Sequence, residues 1–68
     1  MFVGVDLGGT NIAVGIVDEL GELKFQNSRP TRRERKPDEI IEDIIDLINE
    51  VINDSEIERQ EIKAIGIG

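Results

Sequence analysis

The stretch VGVDLGGTNIAVGIVDELGEL, residues 3–23, constrains the fold most, because two apolar alternations meet in it at a pair of glycines. Residues 2–7 alternate apolar side chains up to the glycines and predict a strand. Residues 11–18 predict a second strand, and both of its faces are apolar or small. Strands with two apolar faces are typically buried on both, so we expect this one to lie in the centre of its sheet.

A turn and a more polar segment complete this first unit. Residues 18–21, Asp-Glu-Leu-Gly, have the composition of a turn in which Gly21 can take a positive φ. The segment ELKFQNSR that follows predicts a third strand, and its polar residues favour a position near the sheet edge. Residues 1–29 therefore predict an antiparallel meander, and not the strand–helix–strand order of a dinucleotide-binding fold.

A helical pattern follows a linker that has a proline at each end. The linker is PTRRERKP, residues 30–37, and Pro37 is favourable as the first helical residue because its missing N–H costs nothing there. Asp38 and Glu39 complement the helix dipole in the first turn. Over residues 37–53 apolar side chains recur at helical spacing, namely Ile41, Ile44, Ile45, Ile48, Val51 and Ile52. We expect this helix to cover one face of the sheet, the alternative being a helix that binds a partner.

The last apolar segment, residues 62–68, predicts a fourth strand. Its apolar residues occur on both sides, so we expect it to be buried. Because a crossover helix precedes it, we expect it to pair in parallel with a neighbour. It ends at Gly68 with no closing loop, so we expect an incomplete N-terminal lobe of a larger domain. The predicted fold class is α/β, with a three-stranded antiparallel meander, a crossover helix and a parallel fourth strand.

The composition excludes several kinds of site and partner. The chain has no cysteine and no histidine, so these residues form no disulfide and no thiolate or imidazole metal site. Fifteen acidic residues against eight basic ones give a net charge of -7, which disfavours nucleic acid as a partner. No apolar run approaches the roughly 18 residues of a membrane helix, and no signal peptide is visible. We therefore expect a cytoplasmic protein with no membrane partner.

Basic residues cluster within the linker and just before it. They are interrupted only by Glu34, and they are Arg29, Arg32, Arg33, Arg35 and Lys36. One interpretation is a solvated, flexible loop, and the other is an anion-binding patch. No aromatic residue lies among them, which disfavours single-stranded nucleic acid.

The turn DLGGT between the first two strands has the residue types of a phosphate-binding loop. Gly8 and Gly9 let backbone N–H groups approach a bulky anion, and the Thr10 hydroxyl can donate to a phosphate oxygen. Asp6 can hold Mg²⁺, usually through water, and the metal then bridges to the phosphates. The Asn11 side-chain amide can donate to either ligand. These residues are the candidate nucleotide site, with Asp6 as the candidate metal ligand.

An ordinary β-hairpin is the alternative interpretation of the same turn. In that case Asp6 or Thr10 would bond the local backbone. The turn has neither the Lys of the GxxxxGK[ST] loop nor a GxGxxG motif before a helix. The residue types alone leave both interpretations open.

Residues 4–23, GVDLGGTNIAVGIVDELGEL, closely resemble the start of the ROK family of sugar kinases and repressors. That family belongs to the superfamily of actin, hexokinase and the heat-shock chaperone ATPases. The order of predicted elements matches the opening of that superfamily, with its ribonuclease H-like fold, and AIGIG resembles its fourth strand. The resemblance spans the whole chain, but its specificity lies in residues 4–21.

The resemblance implies an ATP-dependent sugar kinase of the glucokinase type, which uses Mg²⁺ and phosphorylates glucose in glycolysis. It places Asp6 near the Mg²⁺–phosphate group, Gly8, Gly9 and Thr10 in the first phosphate loop, and Asn11 just after them. The family's catalytic Asp base, sugar-binding residues, adenosine site and zinc site lie further along its sequences. We therefore expect this chain to be inactive by itself.

Two other functions follow from the same pattern. ROK proteins include sugar-responsive transcriptional repressors, which carry a helix-turn-helix segment before this domain. Met1 directly precedes the first predicted strand, so we expect the kinase and not the repressor. A non-catalytic fragment is the other possibility, and its exposed apolar surface would drive self-association or homo-oligomer formation.

Overall fold

The computed structural model describes residues 1–32 and 34–68, and its first part is a three-stranded meander. The strands are β1 (Phe2–Leu7), β2 (Asn11–Val17) and β3 (Leu23–Pro30). β2 pairs antiparallel with β1 on one side and with β3 on the other. The predicted meander and the central position of β2 are therefore confirmed, with β2 one residue shorter than predicted and β3 shifted by one residue.

The turn between β2 and β3 is organised by the Asp18 carboxylate. Its Oδ1 accepts hydrogen bonds from the N–H groups of Leu20 and Glu22, each at 2.9 Å. Gly21 has a φ of +83°, as its place in the turn predicted. The N–H of Glu22, followed by other donors including Lys24, lowers the pKa of Asp18 below its ordinary value. The turn that joins β2 to β3 is thus built on local hydrogen bonds.

The helix α1 (Pro37–Ser55) covers one face of this sheet, as predicted, and is two residues longer than expected. Pro37 occupies the first turn with Asp38 and Glu39, and the helix ends at Ser55, followed by the cap residue Glu56 with left-handed backbone dihedrals. α1 lies over β2 and β3. The core between helix and sheet consists of Val3, Val5, Ile12, Val14, Ile16, Ile44, Leu47, Val51 and Ile52. In the described residues no helix combines the length and apolar character needed to cross a membrane.

A short 3₁₀ turn (Arg59–Glu61), which the sequence pattern did not predict, leads into β4 (Ala64–Ile67). β4 pairs in parallel with β1, and the sheet order is β3–β2–β1–β4. The pairing extends past the ends of β4, because Lys63 N–H donates to Met1 O and Gly68 O accepts from β1. The α/β fold class and the parallel fourth strand are therefore confirmed, although the strand itself is shorter than the predicted 62–68.

The expected burial of the fourth strand is wrong. All four residues of β4 are exposed, with Ile65 at 52% and Ile67 at 65%. β4 lies at the edge of the sheet, while α1 lies over β2 and β3 and leaves β4 uncovered. Apolar side chains on both faces indicate that a strand can be buried, but they do not supply the element that buries it.

Candidate functional site

The turn between β1 and β2 consists of Gly8, Gly9 and Thr10, and backbone contacts close it. Gly8 N–H donates to Asn11 O at 2.9 Å. A Cβ added to Gly8 would lie 3.0 Å from that same oxygen, so the absence of a side chain allows this close approach. Gly9 and Thr10 are exposed at the tip of the turn.

Backbone donor groups lie at the tip of this turn. Within the described residues, the N–H groups of Gly9 and Thr10 make no backbone hydrogen bond. The Thr10 Oγ1 has one weak contact, with the Asn11 side-chain amide nitrogen at 3.5 Å. A cluster of exposed N–H groups beside a hydroxyl is a favourable arrangement for binding an anion.

Asp6 lies on the face of the sheet opposite to α1. Its neighbour Val5 is buried under the helix, and alternate strand residues point to opposite faces. Asp6 is exposed, and with Gly4, Ala13 and Gly15 it lines an open groove of about 410 Å³ on the uncovered face. Asp6 therefore borders this groove and precedes the glycine turn by two residues in the sequence.

β1 and β2 form the β-hairpin of the alternative interpretation, although that interpretation also had Asp6 or Thr10 bonding the local backbone. Among residues 1–32 and 34–68, neither side chain donates to or accepts from a backbone group of the turn. The turn is closed instead by the Gly8 N–H and by contacts from the end of β3. Within the part of the chain that the structure describes, the oxygen atoms of both side chains are thus not bonded to the backbone of the turn.

Mg²⁺, the metal implied by the resemblance, would find one carboxylate ligand here. No group of three or more acidic side chains that could hold a metal ion occurs in the described residues. Mg²⁺ usually retains several waters and binds one or two carboxylates together with substrate phosphates. A single exposed Asp6 beside a candidate phosphate turn fits that mode of binding.

Thr31 lies against the glycine turn, although the sequence pattern assigned it only to the linker. It is 4% exposed, and its Oγ1 donates to Gly8 O at 3.0 Å. Its N–H donates to Thr10 O at 2.9 Å. The strand register would have revealed this contact, since Asn11 pairs with Pro30 and the residue that follows β3 therefore faces Thr10.

Two residues of the basic cluster around the linker, Arg29 and Arg35, form ion pairs. Arg35 Nη2 lies 2.6 Å from Asp43 Oδ2, and Arg29 Nη2 lies 2.6 Å from Glu50 Oε2. The hydrogen bond with Arg35 lowers the pKa of Asp43, and the same contact raises the pKa of Arg35. Two guanidinium groups of the basic cluster thus have carboxylate partners on α1, while Arg33 lies outside the described residues.

The comparisons with known proteins agree on carbohydrate kinases. Residues 1–68 match the model of the FGGY family of carbohydrate kinases, N-terminal domain. Two curated proteins, named glucokinase, come from Streptomyces coelicolor and Streptomyces lividans, and each is 38% identical to this chain over 66 residues. The aligned segment is 97% of this chain but 19% of each relative. The chain therefore spans about a fifth of the length of the curated relatives it matches.

Proposed function

This chain belongs to the FGGY family of carbohydrate kinases, and on that premise we propose that its protein transfers the terminal phosphoryl group of ATP to a sugar hydroxyl. Glucose is the proposed sugar, because both curated relatives are named glucokinase. Membership of the ROK kinases is a finer proposal that rests on the resemblance of residues 4–21. Cytoplasmic location and a role in glycolysis stay predictions from the sequence.

The observation that carries the proposal is the exposed turn at the end of β1. It offers the N–H groups of Gly9 and Thr10, the Thr10 hydroxyl and, at the adjacent groove, the Asp6 carboxylate. We assign the N–H groups and the hydroxyl to phosphate oxygens of ATP. We assign Asp6 to Mg²⁺ that is bound to those phosphates, through water or directly.

Catalysis of phosphoryl transfer consists mainly of positioning and charge neutralisation. We propose that the turn residues and Asp6 position the phosphates of ATP and the Mg²⁺ bound to them. We propose that the base acting on the sugar hydroxyl, and the contacts to the sugar, come from other parts of the protein. The chain by itself is accordingly expected to release no ADP when ATP and sugar are supplied.

Sugar-dependent ADP formation by the protein carrying this chain tests the proposal. We expect ADP release with glucose and a lower rate with other hexoses. Thr10→Val should lower kcat/KM for ATP about 10- to 100-fold, because a hydrogen bond to a charged group contributes about 1.5–3 kcal/mol. Thr10→Ser is the matched control, since it keeps the hydroxyl, and should retain most of the activity. A wild-type protein that forms no ADP with any sugar would contradict the proposal.

A further inference from the structure

Thr31 is a buried polar residue that the phosphate-binding proposal does not use. Among the described residues, Thr31 is the polar residue that is buried. Burial of a hydroxyl is unfavourable unless the hydroxyl is hydrogen-bonded. Its bond to Gly8 O meets this requirement. The backbone N–H of Thr31 also bonds Thr10 O, so one residue contacts both ends of the glycine turn.

The contact with Gly8 fixes the direction of the neighbouring donor. In a trans peptide the C=O and the following N–H point in opposite directions, and the described residues contain no cis peptide. Because Gly8 C=O points towards the Thr31 hydroxyl, the Gly9 N–H of the same peptide unit points away from it. That N–H is one of the groups without a backbone acceptor in the described chain. Thr31 therefore orients a donor of the candidate phosphate site.

Thr31 is in turn held by the helix through Arg35. The Nη2 atom of Arg35 donates both to Thr31 O at 2.9 Å and to Asp43 Oδ2 at 2.6 Å. The side chains of Arg35 and Asp43 are 19% and 22% exposed, so this ion pair is partly shielded from water. A continuous set of contacts thus runs from α1 through Arg35 and Thr31 to the glycine turn.

We propose that Thr31 is a positioning residue for nucleotide phosphate binding, and that the Arg35–Asp43 pair holds it in place. Thr31 acts through the turn and does not touch the phosphate itself. The inference rests on the proposed function in one respect, namely that the turn binds the phosphates of ATP. It predicts a defect in ATP binding and no defect in sugar binding.

The test compares Thr31→Val with Thr31→Ser in the protein carrying this chain. Val has nearly the same shape but leaves Gly8 O without its donor, whereas Ser retains the hydroxyl. We expect Thr31→Val to raise KM for ATP about 5- to 10-fold, the factor for one ordinary hydrogen bond, with KM for glucose unchanged. Thr31→Ser should stay within about twofold of wild type. Equal changes in both KM values, or no change in either, would overturn the inference.

A second measurement separates this inference from the proposed function. ¹⁵N relaxation of the Gly9 amide, without ATP, should give a rigid order parameter of about 0.85 in wild type and a clearly lower one in Thr31→Val. An equally rigid Gly9 in both proteins would overturn the positioning role, even where Thr31→Val weakens ATP binding. A wild-type protein that binds no Mg²⁺–ATP would instead overturn the proposed function. Arg35→Gln, which keeps the Thr31 hydroxyl, should raise KM for ATP less than Thr31→Val does.

Discussion

At the scale of single residues, Asp43 joins the helix to the linker and gives the fold a dependence on pH. Its carboxylate contacts Arg35 and lies 3.7 Å from Arg29 Nη1, and the folded-state pKa falls below the ordinary value of 3.8. A lowered pKa stabilises the folded state above pH 3.8, and this stabilisation is lost as the pH falls through the folded-state pKa. The contact is therefore fully effective at neutral pH.

Asp43→Asn should lower the free energy of unfolding at neutral pH and leave it nearly unchanged in strong acid. Urea unfolding of wild type and variant over a series of pH values measures the difference. Asp18 and Glu19 also have lowered pKa values, so both proteins lose stability in acid, and only the difference between them reports Asp43. A difference that stays constant from neutral pH to well below pH 3.8 would contradict the role given to this carboxylate.

The sequence predicted part of the site at this scale. The glycines, Thr10 and Asp6 were identifiable because they interrupt two apolar strands with residue types that suit phosphate and metal. Their assignment to a ligand stays a prediction. Thr31 was missed, because its importance arises from burial and from hydrogen bonds to residues more than twenty positions away. A local pattern of polar residues in a linker carries no sign of such contacts.

At the scale of elements, α1 is held to the sheet by a few fully buried side chains. Leu47 has no exposed surface, whereas Ile45 on the same helix is 52% exposed. Leu47→Ala should lower the free energy of unfolding by about 2–5 kcal/mol through lost contacts and the cavity left behind. Ile45→Ala removes the same number of carbon atoms from an exposed position, so we expect a much smaller loss. Thermal or urea unfolding followed by circular dichroism compares the two, and equal losses would contradict the packing described.

Most of the helices and strands were predictable, because the spacing of apolar residues in the sequence differs between the two. Alternation predicted β1 and β2, the polar segment after the turn predicted β3, and three- and four-residue spacing predicted α1 to within two residues at its C-terminal end. The 3₁₀ turn Arg59–Glu61 was not predicted, because a polar segment without apolar periodicity does not indicate a helix or a strand. The prediction that β4 is buried was wrong, because burial depends on which other elements cover a strand. The strand's own residues do not specify those elements.

At the scale of the whole molecule, an apolar surface is exposed beside α1. Ile65 and Ile67 of β4 pair with Val3 and Val5, so they share the helix-facing side of the sheet. Both are more than half exposed, as are Ile41 and Ile45 on α1, and Leu7 is 44% exposed. Together with the unpaired edge of β4, this surface favours association with another chain.

The isolated chain should therefore self-associate, as the interpretation of a non-catalytic fragment with exposed apolar surface also predicted. Sedimentation velocity over a range of concentrations should show the mean sedimentation coefficient rising with concentration. Ile65→Lys should weaken the association, because it places a charge within the apolar surface. Asn53→Lys is the control, since it adds the same charge at an exposed position on α1. A chain that stays monomeric at all concentrations would contradict this prediction.

Above all, we propose that the Gly8–Thr10 turn binds the phosphates of ATP. The most direct measurement is an NMR titration of the ¹⁵N-labelled protein carrying this chain with Mg²⁺–ATP. The amide resonances of Gly9 and Thr10 should shift and saturate. The amide of Gly21, a glycine in the β2–β3 turn, should not shift. Saturable ATP binding that leaves Gly9 and Thr10 unshifted, or no binding at all, would contradict the claim.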